Sequence, residues 1–115
     1  MSTPPPPFEV RSSYRPDALI LTVSGEIDMS TAPRLEEALE SANAGASRVV
    51  VDLTNVSFVD SSALNAFVRG QRGLTERGIA LRLVAPSAGV VRKVFEIANL
   101  TEPLNVVETT DAALS

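Results

Sequence analysis

The sequence predicts one α/β domain, a mixed β-sheet that opens with an antiparallel hairpin, continues with parallel strands and packs against about four α-helices. Three observations predict it. Two strand-like segments near the start, the second with Leu19, Leu21 and Val23 alternating with polar or smaller residues, flank a short Pro-containing turn, which is hairpin patterning. From Ser30 onward, helical and strand patterning take turns, and strand–helix–strand units in one sheet imply right-handed crossovers between parallel strands. The run Val49–Val51 is apolar without alternation, as in a strand covered by helices on at least part of both faces. A chain of 115 residues is long enough to bury a core without disulfide or metal staples, and it shows no internal repeat.

Residues 1–7 include four consecutive prolines, Pro4 to Pro7. They predict a disordered, extended tail, which is also conceivable as a ligand for a proline-recognition module. The folded domain is expected over residues 8–115. Phe8–Tyr14 and Ala18–Ser24 read as the two hairpin strands, joined by Arg15-Pro16-Asp17. Gly25 is expected to break the second strand, leaving Glu26-Ile27-Asp28 as a loop. Ser30 or Thr31 can cap the next helix, with Pro33 in its first turn, where no N–H partner is needed. Leu35, Ala38, Leu39 and Ala42 form its apolar face, and Gly45 ends it.

The central strand is expected over Arg48–Leu53, followed by a polar turn and the apolar pair Phe58-Val59. A helix after Asp60 places Leu64, Phe67, Val68, Gln71 and Leu74 on one stripe, with Gly78 closing it. Gly70 and Gly73 lie inside that helix and weaken it by about 1 kcal/mol each relative to alanine, either for close packing or with fraying. Ile79–Val84 is the next strand. Pro86-Ser87 is expected to start a helix with Val90, Val91, Val94, Phe95 and Ala98 inward. Leu104–Val107 reads as a last short strand, and Thr110–Leu114 as the start of a terminal helix.

Composition narrows the chemistry. The chain has neither cysteine nor histidine. Thiolate chemistry and disulfides are excluded, and the commonest general base and metal ligand are missing. No enzyme activity, cofactor or metal site is expected. The net charge of −4 and an aromatic content of 4% argue against nucleic acid, whose phosphates need a basic face. Met1 to Pro7 lacks the basic and apolar regions of a signal peptide, and no apolar stretch has the length of a membrane span. A cytoplasmic protein with no membrane association is the expectation.

The most informative stretch is Val49 to Leu64, V-V-V-D-L-T-N-V-S-F-V-D-S-S-A-L. It sets Asp60, Ser61 and Ser62 at the point where a core strand gives way to a helix. Unpaired backbone N–H groups and the helix dipole favour negative charge there, so a serine at this position is well placed to carry a phosphate. Asp and Ser are also preferred helix caps, and the same residues fit that plainer role.

With two further blocks, this stretch resembles the STAS-domain anti-sigma factor antagonists of bacteria. One block is L-T-V-S-G-E-I-D, Leu21 to Asp28, followed by the Thr31-Ala32 helix start. The other is the strand Leu81–Val84 followed by P-S-A-G-V-V-R-K-V-F-E-I-A-N-L, Pro86 to Leu100. The resemblance runs from about Phe8 to the C-terminus and implies a STAS-like fold. It also implies a mechanism. The unphosphorylated antagonist binds an anti-sigma factor that is itself a serine kinase, which frees a sigma factor for transcription. The kinase then phosphorylates the serine after the aspartate of a D-S-S-G-L motif, and a PP2C-type phosphatase restores it. Carried onto this chain, the phosphoacceptor is Ser61, and Asp28, Asp60, Ser62 and Ala63 belong to the partner-binding face. The family suggests a monomer.

Ala63 stands where the family usually has glycine. Its methyl is expected to face an approaching kinase and to alter partner choice. Asp28 equally fits a role in stabilising the helix start at Ala32, and Asp52 a strand-end residue bonded to a loop. Arg69, Arg72, Glu76 and Arg77 fit a solvated helix face, as Arg92 and Lys93 fit the surface. Phe67 fits the core or a partly exposed place beside Ser61. Two other functions compete: a STAS scaffold or transporter-associated module that is never phosphorylated, and a carrier protein with a phosphopantetheine arm on Ser61. The strand-rich first half disfavours the latter, since carriers are helical.

Overall fold

The computed structural model describes residues 7–42 and 45–115. The expected tail, apart from Pro7, lies outside the described residues. The elements are β1 (Glu9–Arg15), β2 (Ala18–Ile27), α1 (Ala32–Glu40), β3 (Arg48–Val59), α2 (Ser61–Glu76), β4 (Ala80–Val84), α3 (Val90–Ile97), β5 (Val106–Val107) and α4 (Thr110–Leu114). One sheet holds the strands in the order β1-β2-β3-β4-β5. β1 pairs antiparallel with β2, and the other pairs are parallel.

Sequential strand order has a consequence for the helices. Right-handed crossovers that all advance in the same direction place their helices on one face of the sheet. Accordingly α1, α2 and α3 bury Leu35, Leu39, Phe67, Leu74, Val91 and Phe95 in one cluster with Leu19, Leu21, Val49, Val51, Leu81 and Leu83. Phe67 is fully buried and its ring meets that of Phe95 at a centroid distance of 5.9 Å. Among the described residues, α4 alone of the helices covers the opposite face, where Ala113 packs on Ile20, Val50 and Val84. The non-alternating Val49–Val51 run is thus buried from both sides.

Four expectations need correction. β2 does not stop at Gly25 but continues to Ile27. Gly25 has φ of +93°, and a Cβ there would sit 2.9 Å from the backbone of Phe8. The glycine serves a bulge and a close chain approach within the strand instead of ending it. β3 is likewise uninterrupted from Arg48 to Val59. The polar residues in its middle are not a turn: Asp52 Oδ1 accepts from Thr54 N (3.0 Å) and Thr54 Oγ1 (2.6 Å). Two register shifts against β2 absorb the two extra residues of β3. α3 begins at Val90, after a turn at Pro86–Gly89 closed by Gly89 N donating to Pro86 O. With that later start, Val91 and Phe95 point inward while Val90 and Ala98 are exposed and Val94 is half-buried. β5 contains only Val106-Val107, because Asn105 adopts φ of +53° in the preceding turn.

The expected solvated face of α2 is also partly engaged. Arg69 pairs with Glu36 of α1, and Arg77 Nη1 donates to Ala42 O at 2.6 Å. Gln71 donates to Pro103 O at 2.6 Å. Arg92 Nη1 donates to Ala85 O at 3.1 Å.

Candidate functional site

Parallel strands with sequential order bring their carboxyl ends to one rim, where open α/β sheets commonly place their sites. Ile27 and Val59 are register partners at the ends of β2 and β3, and Asp60 N donates to Ile27 O at 3.3 Å. The residues that follow these two, Asp28 and Asp60, therefore leave from neighbouring strand ends, a spacing of about 4.8 Å in a sheet. Segments 32 residues apart in sequence meet there.

Asp60 is the N-cap of α2. Its φ of −121° and ψ of −170° are extended, and its Oδ1 accepts from Ser62 N at 2.8 Å and Ala63 N at 3.2 Å. Two of the helix's unpaired N–H groups are satisfied in this way. Ser61 is the first residue of α2 and is exposed. Its hydroxyl makes no hydrogen bond among the described residues, so it is free to react or to bind. Ser62 is half-buried and lines a groove between α1 and α2 with Met29, Pro33, Asn65 and Arg69.

Asp28 organises the facing loop. Its Oδ1 accepts from Ser30 Oγ (2.7 Å), Ser30 N (2.9 Å) and Thr31 N (3.2 Å). The Ser30 hydroxyl, then the Ser30 amide, hold this carboxyl below the usual aspartate range against the opposing effect of desolvation. It is a carboxylate at neutral pH. Thr31 is the N-cap of α1 by position only. Its hydroxyl accepts from Asp28 N at 2.9 Å and donates to Glu26 O at 2.9 Å, which ties the loop to β2. No cation is ion-paired with Asp28 or Asp60 among the described residues; the two ion pairs found there are Arg11–Glu9 and Arg69–Glu36.

Four of the five expected site residues thus converge on this rim: Asp28, Asp60, Ser61 and Ser62. Ala63 does not join them as expected. It is 0% exposed, and its methyl packs inward in the main core cluster. Its contribution to the site is the amide that Asp60 caps. The reason is helical geometry: Ala63, Ala66 and Phe67 share the inward face, which turns the side chain at residue 63 away from solvent.

The rim carries apolar residues that sequence reasoning did not assign to it. Met29, Phe58 and Val90 are 79%, 46% and 67% exposed, at the ends of β2, β3 and the turn after β4. Val90 was not legible from spacing, since Val90 and Val94 are four apart just as Val91 and Phe95 are, and only packing sets the latter pair inward. Nor was Phe58, because its facing depends on the register shifts in β3.

Comparison with known proteins agrees with this architecture. The family model described as STAS domain matches residues 9–113. An anti-sigma-B factor antagonist of Listeria monocytogenes is 37% identical over 91 residues, 78% of this chain and 79% of that protein. One from Staphylococcus aureus is 36% identical over 90 residues, 77% of this chain and 82% of that protein. The crystal structure of an anti-sigma factor antagonist from Mycobacterium paratuberculosis superposes with a TM-score of 0.78 at 28% identity, covering 94% of this chain and 92% of that one. The chain belongs to the STAS domain family.

Proposed function

We propose that this chain is an anti-sigma factor antagonist switched by phosphorylation of Ser61. With Ser61 unmodified it binds an anti-sigma factor that is a serine kinase, and a sigma factor is released. Phosphate on Ser61 ends the binding, and a PP2C-type phosphatase restores it. The chain acts by binding in the cytoplasm, as a monomer, without catalysis, nucleic acid or membrane. The observation that carries this reading is the exposed Ser61 hydroxyl on the first residue of α2, without a hydrogen bond among the described residues and set at the carboxylate-bearing rim. The named relatives support the class of partner.

The physics of the switch is local. A phosphate adds roughly −1.5 to −2 charges at neutral pH. The first turn of α2 tolerates them, since its dipole favours an anion there. A partner surface fitted to a neutral hydroxyl does not. It must desolvate the phosphate beside Asp28 and Asp60, which no ion pair among the described residues neutralises. A loss of about 3 kcal/mol weakens binding more than a hundredfold. No rearrangement of the fold is required.

The test is peptide mass mapping of the purified chain after incubation with ATP and a lysate of its native host, beside Ser61→Ala. Phosphate is expected on the peptide holding Ser61 and is expected to vanish in the variant. Its absence from the wild-type chain under several growth conditions would overturn the switch and leave a STAS module that binds without being modified.

A further inference from the structure

The phosphoacceptor sits beside an apolar pocket that the switch itself does not use. The pocket lies between the end of β3 and the first turn of α3, where Phe58 and Val59 meet Val90, Val91 and Val94, with Ser57 the one polar residue of its lining. Its volume is about 110 Å³. An enclosed apolar cavity of about 150 Å³ accepts a benzene molecule, so this one has room for a single aliphatic side chain. Two of its walls, Phe58 and Val90, are among the five large apolar residues left exposed among the described residues. Neither exposure is needed by the core, which Val59, Val91 and Phe95 complete from the same segments.

We propose that this pocket receives one aliphatic side chain from the serine kinase that modifies Ser61, and so anchors that partner beside the reacting hydroxyl. The proposal rests on the reading of Ser61 given above. Position argues for this occupant. Val59 lines the pocket and is followed directly by the Asp60 cap and Ser61. A stable protein complex covers about 800 Å² on each partner, a patch some 30 Å across. A kinase centred on Ser61 therefore covers a pocket that begins two residues away. Binding energy in such patches concentrates in buried apolar anchors near the centre, whereas rim charges contribute little. The acidic rim supplies the phosphate-sensitive element, and the pocket supplies affinity that phosphate does not alter. That division explains why an exposed Val90 and a half-exposed Phe58 stand at the rim of a domain with an otherwise well-buried core.

The test measures the initial rate at which Ser61 gains phosphate from ATP and native-host lysate, by quantitative peptide mass mapping, in full-length variants. Val90→Asp and Val90→Lys are both expected to slow the rate tenfold or more, because either charge must be desolvated in an apolar pocket. Ile97→Asp, which places a charge at an 83% exposed position about 10 Å further along α3, is expected to stay within twofold of wild type. Val90→Thr keeps the side-chain shape and is expected to slow the rate about threefold, which guards against loss of fold in the charged variants. Wild-type phosphorylation with unchanged rates in the Val90 variants would sink the pocket and leave the switch standing. An effect of only one sign of charge, or an equal effect at Ile97, would also overturn it in favour of general electrostatics. No phosphate on the wild-type chain would remove both proposals. Light scattering on the same samples addresses a second copy as occupant: a wild-type dimer that Val90→Asp dissociates would assign the pocket to self-association instead.

Discussion

At the turn from β3 into α2, one carboxylate has two consequences. Asp60 accepts from two amides of the first helical turn, and in doing so it presents the next residue, Ser61, with its hydroxyl unoccupied. Capping and exposure of the acceptor are thus the same arrangement. Replacing Asp60 by alanine is expected to cost about 1 kcal/mol, which lowers the thermal midpoint by about 4 °C. Asparagine, an equally good cap, is expected to restore most of it. Thermal unfolding of the two variants checks this, and an alanine variant as stable as wild type would show that the cap does not hold the turn. The sequence pointed to Asp60 and Ser61 because Asp-Ser before an apolar helical stripe is a start signal. It misplaced Ala63, since which face of a helix is inward depends on what the helix packs against.

The two glycines of α2 separate at the scale of the element. A Cβ on Gly70 would collide with Leu39 Cδ1 of α1, and Leu39 is itself buried, so it has little room to move. A Cβ on Gly73 would meet nothing within 4 Å. Gly70 therefore permits close approach of α1 and α2, while Gly73 only weakens the helix. Gly73→Ala is expected to stabilise the chain by up to about 1 kcal/mol through helix propensity. At Gly70 the same gain is opposed by an overpacking cost of about 1–3 kcal/mol. Urea unfolding of the two variants is expected to rank Gly73→Ala above Gly70→Ala by about 1 kcal/mol or more; the reverse order would refute the close-packing role. Sequence reasoning saw both glycines but had no basis for distinguishing them, because the difference lies in the neighbouring helix. It also divided β3 in two. Thr54 and Asn55 look like turn residues, yet Asp52 bonds to Thr54 within a continuous, bulged strand.

Across the molecule, the one-sided placement of α1, α2 and α3 leaves the second sheet face to α4. This five-residue helix would be marginal alone. Two arginines from neighbouring strands hold it: Arg48 Nη1 donates to Ala113 O and Ser115 O, both at 3.3 Å, and Arg82 Nη1 donates to the same oxygens at 3.3 and 3.1 Å. Ala113 in turn packs on Ile20, Val50 and Val84. Replacing both arginines by alanine is expected to cost roughly 1–3 kcal/mol. Amide exchange at Ala112–Leu114 is expected to speed up while the amides of β3 stay protected. Unchanged exchange in α4 would show that apolar packing alone secures it.

Local patterning was enough to determine the class of fold, the order of its elements and the phosphoacceptor candidate. Periods of 2 and 3.6, a central apolar run and cap chemistry are properties of neighbouring residues, and they survive folding. Strand continuity through Gly25 and Thr54, the inward turn of Ala63, the outward turn of Val90 and the meeting of Asp28 with Asp60 were decided by tertiary structure. Each depends on a register or a packing partner contributed by a distant segment, and no window along the chain contains that partner.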